Sequence, residues 1–189
     1  MARPGVAARV ASVLALALLA ACAPLPPAAD REPPQVTDTG FEASGRLSAR
    51  RGSDGITAGF EWLHTPLADA IGLATPLGQT LARLEGNADG AAIMLPDGKT
   101  STARSFDALT EASFGVPLPV SGLAWWIRGA PRPGSAFAVE RDARMRTSVL
   151  RQDGWEVVYD YPEAGAKRPS RLRLTDPEFE IRVAVDRWR

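Results

Sequence analysis

Residues 41–62 read FEASGRLSARRGSDGITAGFEW, and the period of this stretch is two. Phe41, Ala43, Gly45, Leu47 and Ala49 alternate with Glu42, Ser44, Arg46 and Ser48. After Arg51-Gly52-Ser53-Asp54-Gly55, the apolar Ile56, Ala58, Phe60 and Trp62 alternate with Thr57, Gly59 and Glu61. Successive side chains of a strand point to opposite faces, so strict alternation specifies strands with one face buried and one in water. The glycine-rich polar segment between them is a turn. The unit implied is an antiparallel pair with a single apolar face.

The pattern continues downstream. Asp69 to Ala74 reads as a third strand and Gln79 to Glu85 as a fourth, separated by Pro76-Leu77-Gly78. Ala91 to Leu95 and Lys99 to Arg104 form a hairpin around Pro96-Asp97-Gly98. Two short helices interrupt the strands. Ser105 is placed to cap one that runs to about Phe114 and stops at Gly115; Ser121 is placed to cap a second that runs to Arg128 and stops at Gly129. Strands resume at Arg144 to Gln152 and Trp155 to Tyr161 around Asp153-Gly154, then at Ser170 to Thr175 and Phe179 to Trp188. This order predicts a mainly β fold: an open antiparallel barrel of about ten or eleven strands, with the inserted helices against one side or across its mouth.

Upstream of this domain the chain changes character twice. Residues 23–40 carry five prolines (Pro24, Pro26, Pro27, Pro33 and Pro34) and read as an extended tether. Before them stands MARPGVAARVASVLALALLAAC, with Arg3 and Arg9 as its only charges and an apolar run from Val10 to Ala21. That run is too short to span a bilayer and suits a signal peptide. Leu19-Ala20-Ala21-Cys22 matches the lipobox of bacterial lipoprotein precursors, in which small residues fit the peptidase cleft and the thiol takes a diacylglycerol. The expected organisation is therefore 1–21 signal peptide, 22–40 lipidated Cys22 and tether, and 41–189 folded domain. The expected lipid is diacylglycerol plus an N-acyl chain on Cys22, with no other cofactor. Ala23 after the cysteine, in place of Asp, is compatible with sorting to the outer membrane.

Composition narrows the function classes. Cys22 is the only cysteine, so the domain has no disulfide and no thiolate zinc site. Basic and acidic residues number 22 each, without the clustered excess of a nucleic-acid footprint. His64 is the only histidine, and no G-x-S-x-G accompanies it. Gly98-Lys99-Thr100 resembles the end of a P-loop, but Ile93 occupies the place of the first glycine. No catalytic constellation and no metal site is expected. What stands out is large apolar side chains. The five tryptophans Trp62, Trp125, Trp126, Trp155 and Trp188 fit core packing and a cavity for an apolar ligand about equally well.

Several short motifs occur in a fixed order: F-x-x-x-G-R-L at 41–47, F-x-W at 60–62, P-L-G-Q-T at 76–80, P-L-P-V-S-G-L-A-W-W-I-R-G at 117–129, and Q-D-G-W at 152–155 before Tyr159. In this order, behind a lipobox, they resemble the outer-membrane lipoprotein LolB family. The resemblance implies a half-closed barrel with helices over a hydrophobic cavity. It also implies a monomeric, non-enzymatic, lipid-anchored receptor on the periplasmic face of the outer membrane. Such a receptor takes acylated lipoproteins from a LolA-like periplasmic carrier and inserts them among outer-membrane phospholipids. It further implies that Leu77, in the P-L-G loop, projects from the barrel and enters lipid. For the acyl-binding cavity we expect Phe60, Trp62, Ile71, Leu73, Trp125 and Trp126, chosen as large apolar residues since the resemblance does not assign them one by one. The alternative is a lipid- or signal-sensing lipoprotein of similar open-barrel fold.

Overall fold

A computed structural model of the chain describes residues 38–189. The expected signal peptide at 1–21, the lipidation site Cys22 and the Pro-rich tether up to residue 37 lie outside the described residues.

The described chain forms β1 (Phe41–Arg51), β2 (Asp54–His64), β3 (Ala68–Ala74), β4 (Thr80–Asn87), β5 (Gly90–Met94) and β6 (Thr100–Ala103). Helices α1 (Phe106–Phe114) and α2 (Val120–Trp126) follow. The remaining strands are β7 (Phe137–Arg141), β8 (Thr147–Gln152), β9 (Trp155–Asp160), β10 (Arg171–Thr175) and β11 (Phe179–Trp188). All eleven belong to one antiparallel sheet, ordered β6-β5-β4-β3-β2-β1-β11-β10-β9-β8-β7. The pairing of β1 with β11 joins two meanders, and β6 and β7 do not pair with each other, so the barrel is open. Both helices lie in the connection that carries the chain from one free edge to the other.

The alternation in residues 41–62 produces the burial it predicts. Phe41, Ala43 and Ala49 of β1 and Ala58, Phe60 and Trp62 of β2 are buried, whereas Glu42, Arg46, Glu61 and Leu63 face solvent. The inner faces of the other strands add Leu73, Leu84, Ile93, Leu150, Val157, Leu174 and Ile181, all essentially inaccessible. This core lies wholly within residues 36–189, which form a compact unit by themselves. A unit that buries its own core and closes its own hydrogen-bonded ladders can fold without the segment before it.

Gly45, the glycine of the F-x-x-x-G-R-L motif, sits where the β1–β11 register slips between Ser44 and Gly45. A Cβ there would collide with the Ala184 carbonyl oxygen, so only glycine admits this close approach.

Of the departures from the sequence reading, three have a clear physical cause. β7 was not anticipated, because as a free edge strand it leaves both faces largely exposed and carries no clear apolar alternation. β8 begins at Thr147, not Arg144; the carboxylate of Asp142 accepts hydrogen bonds from the backbone N–H groups of Arg144 and Arg146, and so holds residues 142–146 as a turn. α2 starts after Pro119, not after a Ser121 cap, and its helical residues end at Trp126. Pro119 fixes its own φ near −76° and its carbonyl accepts from the Leu123 N–H at 2.8 Å, so the turn is already set before Ser121 is reached. α1 matches expectation: the Ser105 hydroxyl accepts from Ala108 N–H, and Gly115 closes the helix at φ 73°.

Candidate functional site

α2 faces the concave side of the sheet. Leu118, Val120, Leu123 and Ile127, from α2 and its flanks, point at Leu47, Phe60, Trp62, Ile71, Leu73, Leu84, Ile181 and Val183 of the sheet, and together they enclose a wholly apolar hollow. Its volume is about 30 Å³. A pocket that holds a drug-sized ligand has roughly 300–1,000 Å³, so the hollow is closed by side chains and has room for about one water-sized probe. Of the expected cavity residues, Phe60, Trp62, Ile71 and Leu73 line it.

Trp125 and Trp126 are not among the lining residues. Trp126 is only 1% exposed and its Nε1–H donates to Gln152 Oε1 at 2.9 Å. The Gln152 amide in turn donates to the Arg132 carbonyl and to Ser135 Oγ, while Gln152 Oε1 also accepts from Arg132 N–H. The long tryptophan-containing motif and the Q-D-G-W motif therefore meet as a structural clamp that seats α2 on β8. Trp125 lies half-buried under the Arg128 guanidinium, 4.7 Å from its ring centroid. Sequence could not separate these roles, because a tryptophan that faces the hollow and one that packs away from it read alike.

The segment leading into α2 is tied to α1 by one buried hydroxyl. Thr110 Oγ1 donates to the Phe106 carbonyl at 2.9 Å and accepts from Leu118 N–H at 2.8 Å. Among the described hydrogen bonds, the polar ties of α2 and its flanks cluster at its two ends, at Leu118 and at Trp126–Arg128. Between them the contact with the sheet is apolar and carries no directional bond.

Leu77 stands at the rim between β3 and β4, and it is 89% exposed. Its turn is rigidly built. Gly78 N–H donates to the Thr75 carbonyl, Thr75 N–H to the Gln79 carbonyl, and Gln79 N–H to Thr75 Oγ1, with Gly78 in the left-handed region at φ 84°. The loop thus holds an unpacked leucine away from the core, which excludes the possibility that Leu77 folds back onto it.

His64 had no assigned role, and its environment was not legible in sequence. It is buried, with Asp69 Oδ1 2.7 Å from Nδ1 and Asp38 Oδ1 3.0 Å from Nε2. Two carboxylates can both accept only if both ring nitrogens carry protons, so the geometry favours the imidazolium. Burial works to lower its pKa, but the hydrogen bonds and charges of Asp69 and Asp38 together outweigh it, and the net shift is upward. Asp69 also accepts from Trp62 Nε1, and Asp38 from Arg128 Nη2. The sequence reading placed Asp38 in the tether; the structure fastens its carboxylate to the domain. These bonds tie β2, β3, the segment after α2 and Asp38 into one structural clamp.

Comparison with known proteins agrees with this architecture. The family model described as outer membrane lipoprotein LolB matches residues 39–188. The outer-membrane lipoprotein LolB of Azoarcus sp. (strain BH72) is 36% identical over 174 residues, covering 91% of this chain and 90% of the relative. That of Chromobacterium violaceum is 35% identical over 152 residues, with 80% and 81% covered. That of Thiobacillus denitrificans is 33% identical over 182 residues, with 95% and 97% covered. A half-open barrel with a plugged apolar hollow, matched along almost its whole length, leaves one assignment: the chain belongs to the outer-membrane lipoprotein LolB family.

Proposed function

We propose that this chain receives acylated lipoproteins from a LolA-like periplasmic carrier and places them among outer-membrane phospholipids, itself anchored there through a lipid on Cys22. Its family membership supports an outer-membrane lipoprotein receptor of the Lol pathway over the signal-sensing alternative. The observation that carries the finer reading is the wholly apolar hollow closed by α2, on a domain whose rim presents an unpacked leucine.

The physical reasoning is short. Each CH₂ of an acyl chain costs about 0.8 kcal/mol to expose to water, so a lipoprotein anchor must pass from one apolar shelter to another. A 30 Å³ hollow cannot hold such a chain, so uptake requires α2 to rise and give up its contacts with Phe60, Trp62, Ile71 and Leu73. The cargo chain then replaces apolar contact with apolar contact, at little net cost. The receptor must hold cargo better than the carrier does and less well than the bilayer. Release is the step at which Leu77 enters lipid, where burial of one leucine contributes about 1.5–3 kcal/mol.

The test is transfer. The domain is mixed with a carrier loaded with a labelled lipoprotein, and cargo is expected to move to the domain and then to added liposomes. Cargo that stays on the carrier refutes the receptor reading. Metabolic labelling with a fatty acid is expected to mark the full chain and not Cys22→Ala; an unlabelled wild type refutes the anchor.

A further inference from the structure

At the rim opposite Leu77, the β7–β8 turn and the loop between β9 and β10 face each other across a cleft of about 410 Å³. Five cations line it: Arg128, Arg141, Arg144, Arg146 and Lys167. No carboxylate is among its lining residues. Asp142 pairs with Arg146 at 2.7 Å, and Asp38 with Arg128 at 3.3 Å. Arg141, Arg144 and Lys167 make no salt bridge among the described residues. Three cationic residues therefore line one recess without a salt-bridge partner among the described residues.

The walls of the cleft are fixed. Arg146 donates from Nη1 to the carbonyls of Glu163 and Ala166, at 3.0 and 3.4 Å, and its guanidinium lies 4.1 Å from the Tyr161 ring centroid. Arg141 Nη1 donates to the Met145 carbonyl at 2.9 Å. At the tip of the turn, Met145 holds the left-handed conformation, φ 64°, and is 66% exposed. A non-glycine residue in that region is strained, and here the strain presents an apolar side chain beside the cations. Leu67, at the β2–β3 turn of the same rim, is also exposed. Cations around a recess, with one apolar tip beside them and another on the same rim, are the arrangement that docks on an anionic lipid surface.

We propose that this cleft binds the phosphate of an anionic phospholipid headgroup, through Arg141, Arg144 and Lys167. The proposal rests on the reading above that the chain is anchored at a membrane. Connectivity makes the membrane the fitting source of the phosphate, because Arg128, on the cleft wall, holds Asp38, the residue at which the domain runs on into the Pro-rich segment leading to Cys22. The two rims do not exclude each other. Asp38 stands sixteen positions after Cys22, a reach of about 50 Å in extended Pro-rich chain. The 11 residues of β1 span about 36 Å from rim to rim. Either rim can therefore meet the bilayer in turn.

The experiment uses the soluble domain starting at Val36 and vesicles of phosphatidylcholine with or without phosphatidylglycerol. Wild type is expected to sediment with the anionic vesicles, more weakly as salt rises. Arg144→Glu/Lys167→Glu is expected to lose about twentyfold in affinity. Arg173→Glu, which removes an exposed cation outside the cleft, is expected to bind as wild type does. Glycerol phosphate is expected to shift the backbone resonances of Arg144 and Lys167 in wild type. Equal sedimentation of the double variant, or equal binding to vesicles lacking phosphatidylglycerol, overturns the proposal. So does resonance shifting by inorganic phosphate without vesicle binding, which would make the source a free anion. If the double variant binds vesicles normally but no longer takes cargo from the loaded carrier, the cleft is a protein dock and the proposal again fails. Cargo transfer by wild type is read separately, so failure of the receptor reading is distinguishable from failure of the cleft.

Discussion

On the rim that carries the Leu77 turn, two hairpin turns share one design. Thr75-Pro76-Leu77-Gly78 and Leu95-Pro96-Asp97-Gly98 each close with the glycine N–H donating to the first residue's carbonyl, at 2.9 and 3.0 Å. In each, the first residue's N–H donates to the carbonyl of the residue after the glycine, and the glycine is left-handed, φ 84° and 82°. Beyond the first residue, Thr75 against Leu95, the tips differ. Asp97 accepts from the Lys99 backbone N–H and pairs with its ammonium at 2.8 Å, satisfying its own turn. Leu77 has no such local use and is 89% exposed. The same backbone tolerates a polar tip, so turn geometry does not explain the leucine; the membrane contact proposed above is what calls for an apolar one.

The comparison can be broken from the core side first. Leu73 lies four residues before Leu77 on the same hairpin, but it is 1% exposed and lines the hollow. Leu73→Ala is expected to cost about 3 kcal/mol and to lower the thermal midpoint by roughly 6–12 °C. A Leu73 variant as stable as wild type would show that the hollow is loosely packed. Leu77→Asp, which copies the neighbouring turn, is expected to leave the midpoint within about 2 °C of wild type. The same variant should still take cargo from the carrier, while delivery to liposomes falls about tenfold or more. Either unfolding or delivery at the wild-type rate removes the membrane role from Leu77. The reciprocal change, Asp97→Leu, gives the second turn an apolar tip. It is expected to raise vesicle binding of the domain by about tenfold or less and to leave the delivery rate unchanged. A variant that delivers faster would mean that any apolar tip on this rim suffices.

The smallest effect sits at the opposite rim and separates the clamp from the tip. The folded state raises the His64 pKa above its ordinary 6.5. The stabilisation from the imidazolium is thus fully present below that value and is lost as pH rises through the higher folded value. The thermal midpoint is expected to decline as pH rises above the ordinary value of 6.5, and the decline is expected to flatten in His64→Gln. A variant with the wild-type slope would place the titration elsewhere. Leu77→Asp should leave this slope untouched.

The strands of this domain were legible because a sheet with one wet face writes its period directly into the chain. Residues 41–62 specify β1, their turn and β2 with no help from the rest of the molecule. The Asp153-Gly154 turn and the Ser105 and Gly115 caps are equally local, each set by the φ or hydrogen bond of one or two residues. β7 escaped because an edge strand exposed on both faces has no period to show. The tryptophans marked the limit of the method. Trp62 and Trp126 are both buried aromatic residues within strong motifs, and only the fold shows that one lines the hollow while the other is bonded to Gln152, 26 positions away. The same holds for the grouping of Asp38, His64, Asp69 and Arg128, and for the basic cleft, whose residues come from α2's end, two hairpin strands and a later loop. Local conformation follows from neighbours in sequence, so the chain alone determined ten of the eleven strands and the turn between Pro76 and Gly78, while the projection of Leu77 from that turn was implied by the family resemblance. A hollow, an ion cluster or a cleft is a meeting of distant segments, and only the closure of the sheet decided which of them meet.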